Sequence, residues 1–245
     1  MRRFRTIAGI VIVAGLALLP VAYRPLLNHR QGDASTSTKT EKESVLILGA
    51  SVAEGWDDKT GGGYLVRAFK TLSGVSSTQY VVHNEAHAGD GVMQVVNSYP
   101  KWLSTYKPQI VVISWGALDD LHMGTPLSKV EAQVRWEAEL ALGQHAVVFL
   151  VTPPVTRASY VGKLAPLEAP YVNHEIAAIR SLHNSNAYVF NVFHQMKAYL
   201  VAHHQTITPY VGDGWHPNTA GHILAGNLLS NDVEKVFGHS PIAFQ

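Results

Sequence analysis

Five short apolar runs, separated by segments long enough to form helices, constrain the fold of this chain more than any other feature. They are residues 45–48, 80–82, 110–113, 146–151 and 187–190. Runs that are apolar at nearly every position must be buried on both faces, which is typical of parallel strands covered by helices. Right-handed crossovers then connect the strands. The pattern therefore predicts an α/β fold built on one parallel sheet.

The segments between and after these runs differ in their periodicity. Residues 129–142 have apolar side chains at helical spacing, which predicts a helix. A last helix is expected from about Pro217 to about Phe237, because proline has no N–H to lose in a first helical turn. Residues 153–170 carry four prolines and no period. We expect a loop there, either a substrate-facing lid or a passive surface loop.

The first 27 residues have the composition of a membrane-targeting segment. Residues 7–23 are apolar and uncharged, and Arg2, Arg3 and Arg5 precede them. This arrangement keeps an amino terminus in the cytoplasm and places the rest of the chain outside. The apolar run lies at the lower limit for a membrane-spanning helix, and no small-x-small cleavage site follows it. We therefore favour a single-pass membrane anchor in residues 1–27 over a cleaved signal peptide, which would leave a secreted protein.

A polar tether follows this segment. Residues 28–43 are rich in serine and threonine and contain almost no apolar residue. Such a composition cannot bury enough surface to become ordered by itself. The folded domain is expected to span residues 44–245, and with 47% hydrophobic residues the chain can supply one sizeable core.

Charge and composition exclude several classes of partner and site. The net charge is +1, which gives no field to attract nucleic acid, so we expect no nucleic-acid partner. The chain has no cysteine, which rules out a disulfide framework, thiolate chemistry and a cysteine-linked lipid. His83 and His87 lack the glutamate that directly follows the first histidine of a metalloprotease helix. We expect neither a metal nor a cofactor, and nothing in the sequence indicates the oligomeric state.

Small and reactive residues follow the first three predicted strands. Ser51 comes after the first strand, Gly89 after the second, and residues 116–119 after the third. The ligand crevice of a parallel sheet lies beyond the carboxyl ends of its strands. A serine nucleophile needs an imidazole to accept its proton and a third group to orient that imidazole. Because Asp213 and His216 supply both groups, the sequence predicts that they fold back beside Ser51.

These positions together resemble the SGNH hydrolases, also called the GDSL esterase and lipase family, over most of residues 44–237. The Gly-Asp-Ser block of that family is matched at residues 49–51, with alanine in place of the acid. Asn84 and Gly89 match the second block. The Asp-x-x-His-Pro block is complete at residues 213–217.

The resemblance implies a fold and a set of roles. The fold would be a three-layer sandwich with a flavodoxin-like parallel five-stranded sheet. Ser51 would be the nucleophile, His216 the general base and later the acid, and Asp213 the partner that orients the imidazole. The backbone N–H groups of Ser51 and Gly89 would form an oxyanion hole. Glycine at position 89 has no side chain, so the main chain there can approach the developing negative charge closely.

The third block departs from the family pattern. Residues 116–119 read Gly-Ala-Leu-Asp where the family has Gly-x-Asn-Asp, so Leu118 offers methyl groups in place of an oxyanion donor. Losing one such donor typically costs about 100- to 1000-fold in rate. Trp115 and His122 are candidate substitutes for the missing donor. Asp119 matches the aspartate that is largely structural in the family.

The sequence and the resemblance together predict an extracytoplasmic serine esterase that works through an acyl-enzyme intermediate. O-acetyl or short acyl esters on cell-envelope carbohydrate are the expected substrates, because of the tether and the family. Two alternatives remain open. One is an O-acyltransferase that uses the same nucleophile, and the other is a non-catalytic envelope-binding module, which the leucine at position 118 makes conceivable.

Overall fold

The computed structural model describes residues 41–245, which form a parallel five-stranded sheet with helices on both faces. The strands are β1 (Glu41–Gly49), β2 (Thr78–Asn84), β3 (Ile110–Ser114), β4 (Val147–Val151) and β5 (Ala187–Phe190). Their order across the sheet is β2-β1-β3-β4-β5, and every neighbouring pair is parallel. The predicted flavodoxin-like sheet is confirmed.

Two helical layers complete a three-layer sandwich. The helices are α1 (Ser51–Glu54), α2 (Gly63–Val75), α3 (Tyr99–Tyr106), α4 (Leu118–Met123), α5 (Leu127–Gly143), α6 (Arg157–Tyr160), α7 (Ala165–Arg180), α8 (Val192–Ala202) and α9 (Thr219–Phe237). Helices α3, α5 and α7 pack on one face of the sheet. Helices α2 and α9 pack on the other face, with α8 beside α9.

The apolar runs form strands because their two faces supply two separate cores. Leu46 and Leu48 of β1 point into the layer that contains α5 and α7, whereas Val45 and Ile47 point into the layer that contains α2 and α9. Every residue of β3 and β4 is buried. This double burial is why the central strands are apolar at consecutive positions.

The first strand begins earlier than predicted. Residues 41–43, which the composition assigned to the tether, pair in register with Thr78, Gln79 and Tyr80 of β2. The parallel ladder satisfies their backbone groups whatever their side chains, so a polar sequence can still extend a strand. The expected anchor, residues 1–27, and the rest of the expected tether lie outside the described residues. Within residues 41–245, none of the helices has the length and apolar character needed to cross a bilayer.

The proline-rich segment 153–170 is not one loop, and that prediction is wrong for α6 and for the start of α7. Pro166 lies in the first turn of α7, where its missing N–H removes no hydrogen bond. Pro170 lies inside the same helix, at a cost of about 3 kcal/mol. Burial of α7 residues such as Ile176 against the sheet and α5 offsets this cost.

The other two helix predictions are close to the structure. Helix α5 covers the predicted segment 129–142 and extends it by a few residues. Helix α9 begins at Thr219 rather than at Pro217, because the side chain of Asn218 caps it by accepting the N–H of Gly221 at 3.0 Å.

Candidate active site

Ser51 lies at the junction between β1 and the one-turn helix α1. Gly49 ends the strand, Ala50 is extended, and Ser51 is the first helical residue. A Cβ at Gly49 would lie 2.2 Å from the carbonyl oxygen of Ser114 in β3, so only glycine allows the strands this approach. The turn leaves Ser51 9% exposed at the carboxyl edge of the sheet.

The structure brings Ser51, His216 and Asp213 together in one chain of hydrogen bonds. The Nε2 atom of His216 lies 3.0 Å from Oγ of Ser51, and its Nδ1 atom lies 2.9 Å from Oδ2 of Asp213. Because an ionised carboxylate only accepts, Nδ1 carries the proton in this arrangement and Nε2 is free to accept from the serine hydroxyl. The imidazole thus has the tautomer that a general base requires.

The loop that carries His216 is closed by its own backbone. Val211 and Pro217 form an antiparallel bridge, and the N–H of Gly212 donates to the carbonyl of His216 at 3.1 Å. The N–H of Ala158 in α6 donates to the carbonyl of Gly214 at 2.9 Å. The loop is therefore held both from within and by the segment that follows β4.

The surroundings of Asp213 favour its ionised form, and half of its side chain is exposed to solvent. Its Oδ1 atom accepts the backbone N–H groups of Trp215 at 2.6 Å and of His216 at 2.7 Å. Burial by itself raises the pKa of Asp213, but the hydrogen bonds from the His216 ring and from the two backbone groups outweigh it and lower the pKa below the ordinary value. A charged carboxylate therefore faces the imidazole at neutral pH.

The loop after β2 is fixed against the turn that holds Ser51. The N–H of His87 donates to the carbonyl of Gly49 at 3.1 Å, and the N–H of Ala88 donates to Oε2 of Glu54 at 2.7 Å. The next residue, Gly89, has φ 87°, a left-handed conformation that favours glycine. The two residues before Gly89 are thus tied to the strand end and to the helix on either side of Ser51, and the oxyanion role of Gly89 stays a prediction.

Asn84, the other residue of this predicted block, ties the end of β2 to α1. Its Nδ2 group donates to the carbonyl of Ala53 at 3.0 Å, and its Oδ1 atom accepts the N–H of Ala86 at 3.2 Å. Asn84 is therefore a support of the turn around Ser51 rather than a side chain that faces the cavity.

The two side chains considered as substitutes for the missing donor do not fit that role. The indole N–H of Trp115 donates to Oε2 of Glu137 at 2.9 Å inside the core, away from any substrate. His122 is exposed, with Nδ1 3.3 Å from the carbonyl of Leu118 and its ring edge against Trp215. Leu118 itself lines the cavity beside Ser51.

Of the two aspartates after β3, Asp120 and not Asp119 has the structural role that was predicted for Asp119. Asp120 is 2% exposed, and its Oδ2 atom accepts the N–H of Val92 at 3.1 Å. The structural role expected of Asp119 therefore belongs to Asp120. Asp119 is half-buried and lines the cavity that contains Ser51.

A small cavity of about 40 Å³ opens beside Ser51. Its walls include the turn after β1, the start of α4 and the segment after β4, with Trp215 at its edge. A larger cavity of about 310 Å³ lies among α6, α7 and α8 and shares Ala117, Pro153, Ser159 and Glu168 with the first. The proline-rich segment thus forms a wall of both spaces, which favours the substrate-facing alternative over a passive surface loop.

His222 supports the site, and the sequence did not predict this role. Its Nδ1 atom accepts the N–H of Tyr64 at 3.1 Å, and its Nε2 atom donates to the carbonyl of Trp56 at 2.9 Å. Burial lowers the pKa of His222, which favours the neutral form that these two bonds need. Trp56 in turn packs against His216 with ring centroids 5.5 Å apart. The available signal was a histidine among the apolar and small residues of α9.

A buried carboxyl group lies behind the cavity wall. Glu137 accepts the indole N–H of Trp115 and, at 3.1 Å, the side-chain amide of Gln133. Burial raises the pKa of Glu137 to about 8 in spite of these bonds. Glu175 is also fully buried, and its pKa is raised well above the ordinary value because of burial and of the neighbouring acids. Both groups favour the protonated form in the folded protein.

No candidate metal centre occurs in the part of the chain that the structure describes. Residues 41–245 contain no cluster of three or more His, Asp or Glu side chains arranged to hold an ion. In the hydrogen-bonded chain of Ser51, His216 and Asp213, the imidazole is the group placed to activate the serine.

Comparison with known proteins places this geometry in a family context. The model of a family described as GDSL-like Lipase/Acylhydrolase matches residues 47–224, which include all three residues of the hydrogen-bonded chain. No curated protein sequence matches the chain.

Solved structures with the same fold cover most of the chain at low sequence identity. An alpha/beta hydrolase, LAE5, from the metagenome of Lake Arreo is 15% identical, with a TM-score of 0.66 over 83% of this chain and 99% of the other. The acetylxylan esterase Axe2 from Geobacillus stearothermophilus is 16% identical, with a TM-score of 0.65 over 80% and 96%. The psychrotrophic esterase EstA from Pseudoalteromonas sp. is 18% identical, with a TM-score of 0.59 over 79% and 98%. At these identities the likeness concerns the fold.

Proposed function

This chain belongs to the GDSL-like lipase/acylhydrolase family and is a serine ester hydrolase, and on that premise we propose that Ser51, His216 and Asp213 carry out the reaction. The observation that carries the assignment is the pair of hydrogen bonds on the His216 ring, 3.0 Å to Ser51 and 2.9 Å to Asp213. The two contacts are of the length that proton transfer and imidazole orientation require.

The proposed reaction passes through an acyl-enzyme. Oγ of Ser51 attacks the ester carbonyl carbon while its proton passes to Nε2 of His216. The tetrahedral intermediate collapses when His216 gives that proton to the departing alcohol oxygen, which leaves the acyl group on Ser51. Water then attacks the acyl carbon and gives a proton to His216, and departure of the carboxylic acid returns a proton to Ser51. Asp213 stabilises the imidazolium in both halves of the reaction.

Covalent labelling tests the assignment of the nucleophile. A fluorescent fluorophosphonate should label the wild-type protein and the Ser104→Ala control, which removes an exposed serine, and should not label Ser51→Ala. A wild-type protein that does not react would favour the non-catalytic envelope-binding module. Labelling that persists in Ser51→Ala would place the nucleophile elsewhere.

The size of the cavity beside Ser51 favours a short acyl group. About 40 Å³ of space accommodates a few water-sized groups, which suits an acetyl group better than a long chain. We expect kcat/KM on p-nitrophenyl esters to fall at least about 10-fold from acetate to octanoate, since one misfitting methylene in a tight pocket already has effects of about this size. Leu118→Ala, which widens the cavity, should reduce that preference. A constant or rising kcat/KM with acyl length would contradict a short-acyl site.

The adjoining cavity of about 310 Å³ suits a bulky, hydroxyl-rich alcohol. The Nζ atom of Lys197 lies 5.3 Å from the ring of Phe193 and 5.7 Å from that of Tyr160 at this cavity. Glu168, 7% exposed, lies at the border of both cavities, and its Oε1 atom has no partner within residues 41–245. A lining that combines aromatic rings, an ammonium group and an unused acceptor suits a sugar better than an apolar chain, so we propose acetylated carbohydrate as the substrate.

The same acyl-enzyme could be resolved by a sugar hydroxyl instead of water. Incubating the protein with an acetyl donor and a carbohydrate acceptor separates the two outcomes. Release of acetate that is unaffected by the acceptor supports the hydrolase, whereas acetylated acceptor in place of acetate supports the O-acyltransferase.

We also propose that residues 1–27 anchor the domain outside the cytoplasmic membrane. The proposal rests on the arginines that precede the apolar residues 7–23. Without protease, the protein should then sediment with the membrane fraction. Protease added to intact spheroplasts should digest the catalytic domain. Protection from the protease would contradict this location.

A further inference from the structure

The small cavity beside the nucleophile and the larger cavity among α6, α7 and α8 meet at a border of four residues. The residues that line both cavities are Ala117, Pro153, Ser159 and Glu168. Alanine and proline have no polar side-chain atom. The Ser159 hydroxyl is engaged at the start of α6, where it accepts the N–H of Thr156 at 2.8 Å and lies 3.1 Å from the Thr156 hydroxyl. Glu168 is therefore the polar side chain of this border that is free to bind a substrate.

Each of the other polar side chains lines only one of the two cavities. Those that line only the small cavity are Ser51, Trp115, Asp119, Thr156 and Trp215. Those that line only the large cavity are Tyr160, Asn173, Asn191, His194 and Lys197. A substrate with its acyl group in the small cavity and its alcohol part in the large one meets each of these groups at one end only. The same substrate passes Glu168 where its two parts join.

The Glu168 carboxyl has an acceptor that the fold does not use. Glu168 is 7% exposed, and its Oε1 atom is buried without a hydrogen-bond partner. Five residues in the part of the chain that the structure describes have such a side-chain atom, and Glu168 is the one among them that lines either cavity. The ion pairs formed within residues 41–245 do not include Glu168. Because a buried acceptor without a donor destabilises a protein and is rare, a donor from the substrate is the partner that this site lacks.

The size of the small cavity indicates which donor reaches Glu168. About 40 Å³ accommodates an acetyl group, so the border with the large cavity lies near the ester oxygen. The first donor of a sugar beyond that oxygen is the hydroxyl on the carbon next to the one that carries the ester. Burial raises the pKa of Glu168 to about 6, and the charge of His122 acts in the opposite direction. The carboxyl is therefore ionised at about pH 8, where it accepts hydrogen bonds and donates none.

We propose that the Glu168 carboxylate accepts a hydrogen bond from the free hydroxyl next to the ester of an acetylated sugar, and that the enzyme thereby selects esters whose neighbouring hydroxyl is unsubstituted. The inference rests on the proposed function of Ser51 and narrows the substrate of that site. Glu168 transfers no proton and forms no covalent bond. A sugar acetylated at both positions lacks the donor and leaves the carboxylate unsatisfied, so it is a poor substrate.

Two acetates built on one ring test this proposal. The monoacetate of trans-cyclohexane-1,2-diol has the neighbouring hydroxyl, and acetyl migration in it returns the same compound. Its methyl ether keeps the oxygen and lacks the donor. At about pH 8 we expect the wild-type kcat/KM for the hydroxy ester to exceed that for the methoxy ester by roughly 10- to 100-fold, the effect of one hydrogen bond to a charged group.

Variants of α7 show whether Glu168 causes this preference. Glu168→Leu should lower the ratio of the two kcat/KM values by at least about 10-fold. Glu168→Gln should lower it less, because the amide oxygen still accepts from a hydroxyl. Leu167→Ala, an exposed change that lines neither cavity, should keep the wild-type ratio. A purely structural role of Glu168 would lower both kcat/KM values together and leave their ratio unchanged.

The outcomes separate this inference from the function on which it rests. Equal wild-type kcat/KM values for the two esters would overturn the selection by Glu168, and this result needs no variant to fold. An unchanged preference in Glu168→Leu would also overturn it, because another group would then bind the hydroxyl. In both cases the fluorophosphonate would still label Ser51 in the wild-type protein. Failure of the wild-type protein to label would instead overturn the proposed function itself.

Discussion

Replacing Ser51 by alanine, His216 by alanine, or both together should lower kcat/KM for p-nitrophenyl acetate by the same factor, about 10⁴ to 10⁶. The two side chains act as a unit, because the hydroxyl is a weak nucleophile unless the imidazole 3.0 Å away accepts its proton. Once either is missing, removing the second costs little more. Purified variants with wild-type melting temperatures make the comparison valid.

Asp213→Asn should have a smaller effect than either alanine variant, about 10³- to 10⁴-fold. The amide carries no negative charge to stabilise the imidazolium of His216. Its N–H₂ group can also donate to Nδ1, which favours the wrong tautomer of the imidazole. The Asp213 side chain is 49% exposed, so water can replace part of the lost stabilisation.

The prediction for Ser51 and His216 has its own contradicting outcome. If the losses in kcat/KM of Ser51→Ala and His216→Ala multiply in the double variant, the two side chains do not share one proton-transfer step.

The parallel sheet was predictable because burial on both faces leaves a direct mark on composition. The all-buried strands β3 and β4 are apolar at every position but Ser114, and their bounds agree with the sequence to within one residue. Residues 41–43 are polar, so their composition does not indicate a strand. Their strand conformation depends on the backbone ladder with β2, which side-chain patterns do not report.

The meeting of Ser51 with Asp213 and His216 was predictable for a different reason. Parallel strands bring their carboxyl ends to one edge, which predicts a shared crevice for Ser51, Gly89 and residues 116–119. The loop with Asp213 and His216 lies between α8 and α9, so its place beside Ser51 was predicted from the chemistry that a serine nucleophile needs. The proline-rich segment shows where sequence reasoning stops, because Pro170 is tolerated inside α7 through packing that no local rule contains.

The roles of the paired aspartates could not be assigned from sequence. Matching the third motif residue by residue gave the structural role to Asp119, whereas the backbone bond to Val92 is made by Asp120. Which of two adjacent acids turns inward depends on the helical start at Leu118 and on the position of the neighbouring loop. The same limit applies to His222 and Glu137, whose partners come from distant segments.

The buried acids behind the cavity predict that the folded protein loses stability as the pH rises from about 5.5 to about 8.5. In the unfolded chain the pKa of Glu137 has its ordinary value of 4.5, and burial raises it to about 8 in the folded protein. The folded state therefore binds the proton more tightly, so this group favours folding fully at low pH. The benefit is lost as the pH rises from the lower of these two pKa values to the higher. Its size is on the order of 3 kcal/mol over the pH range tested.

Glu137→Gln should remove the share of this pH dependence that Glu137 contributes and leave that of Glu175, because the amide has no charge to bury. Its oxygen can accept from Trp115, and its N–H₂ group can donate to Gln133 once the Gln133 amide turns its oxygen inward. The variant should match wild type near pH 5.5 and exceed it near pH 8.5, by roughly 6 to 12 °C in melting temperature. Glu139→Gln, an exposed change on the same helix, is the matched control and should leave the wild-type slope unchanged. Urea midpoints measured across the same pH range provide the equilibrium check. A Glu137→Gln variant with the wild-type slope would mean that Glu137 is already ionised in the folded protein. The wall that carries Trp115 would then contain a fixed negative charge behind the site where the substrate oxygen becomes negative.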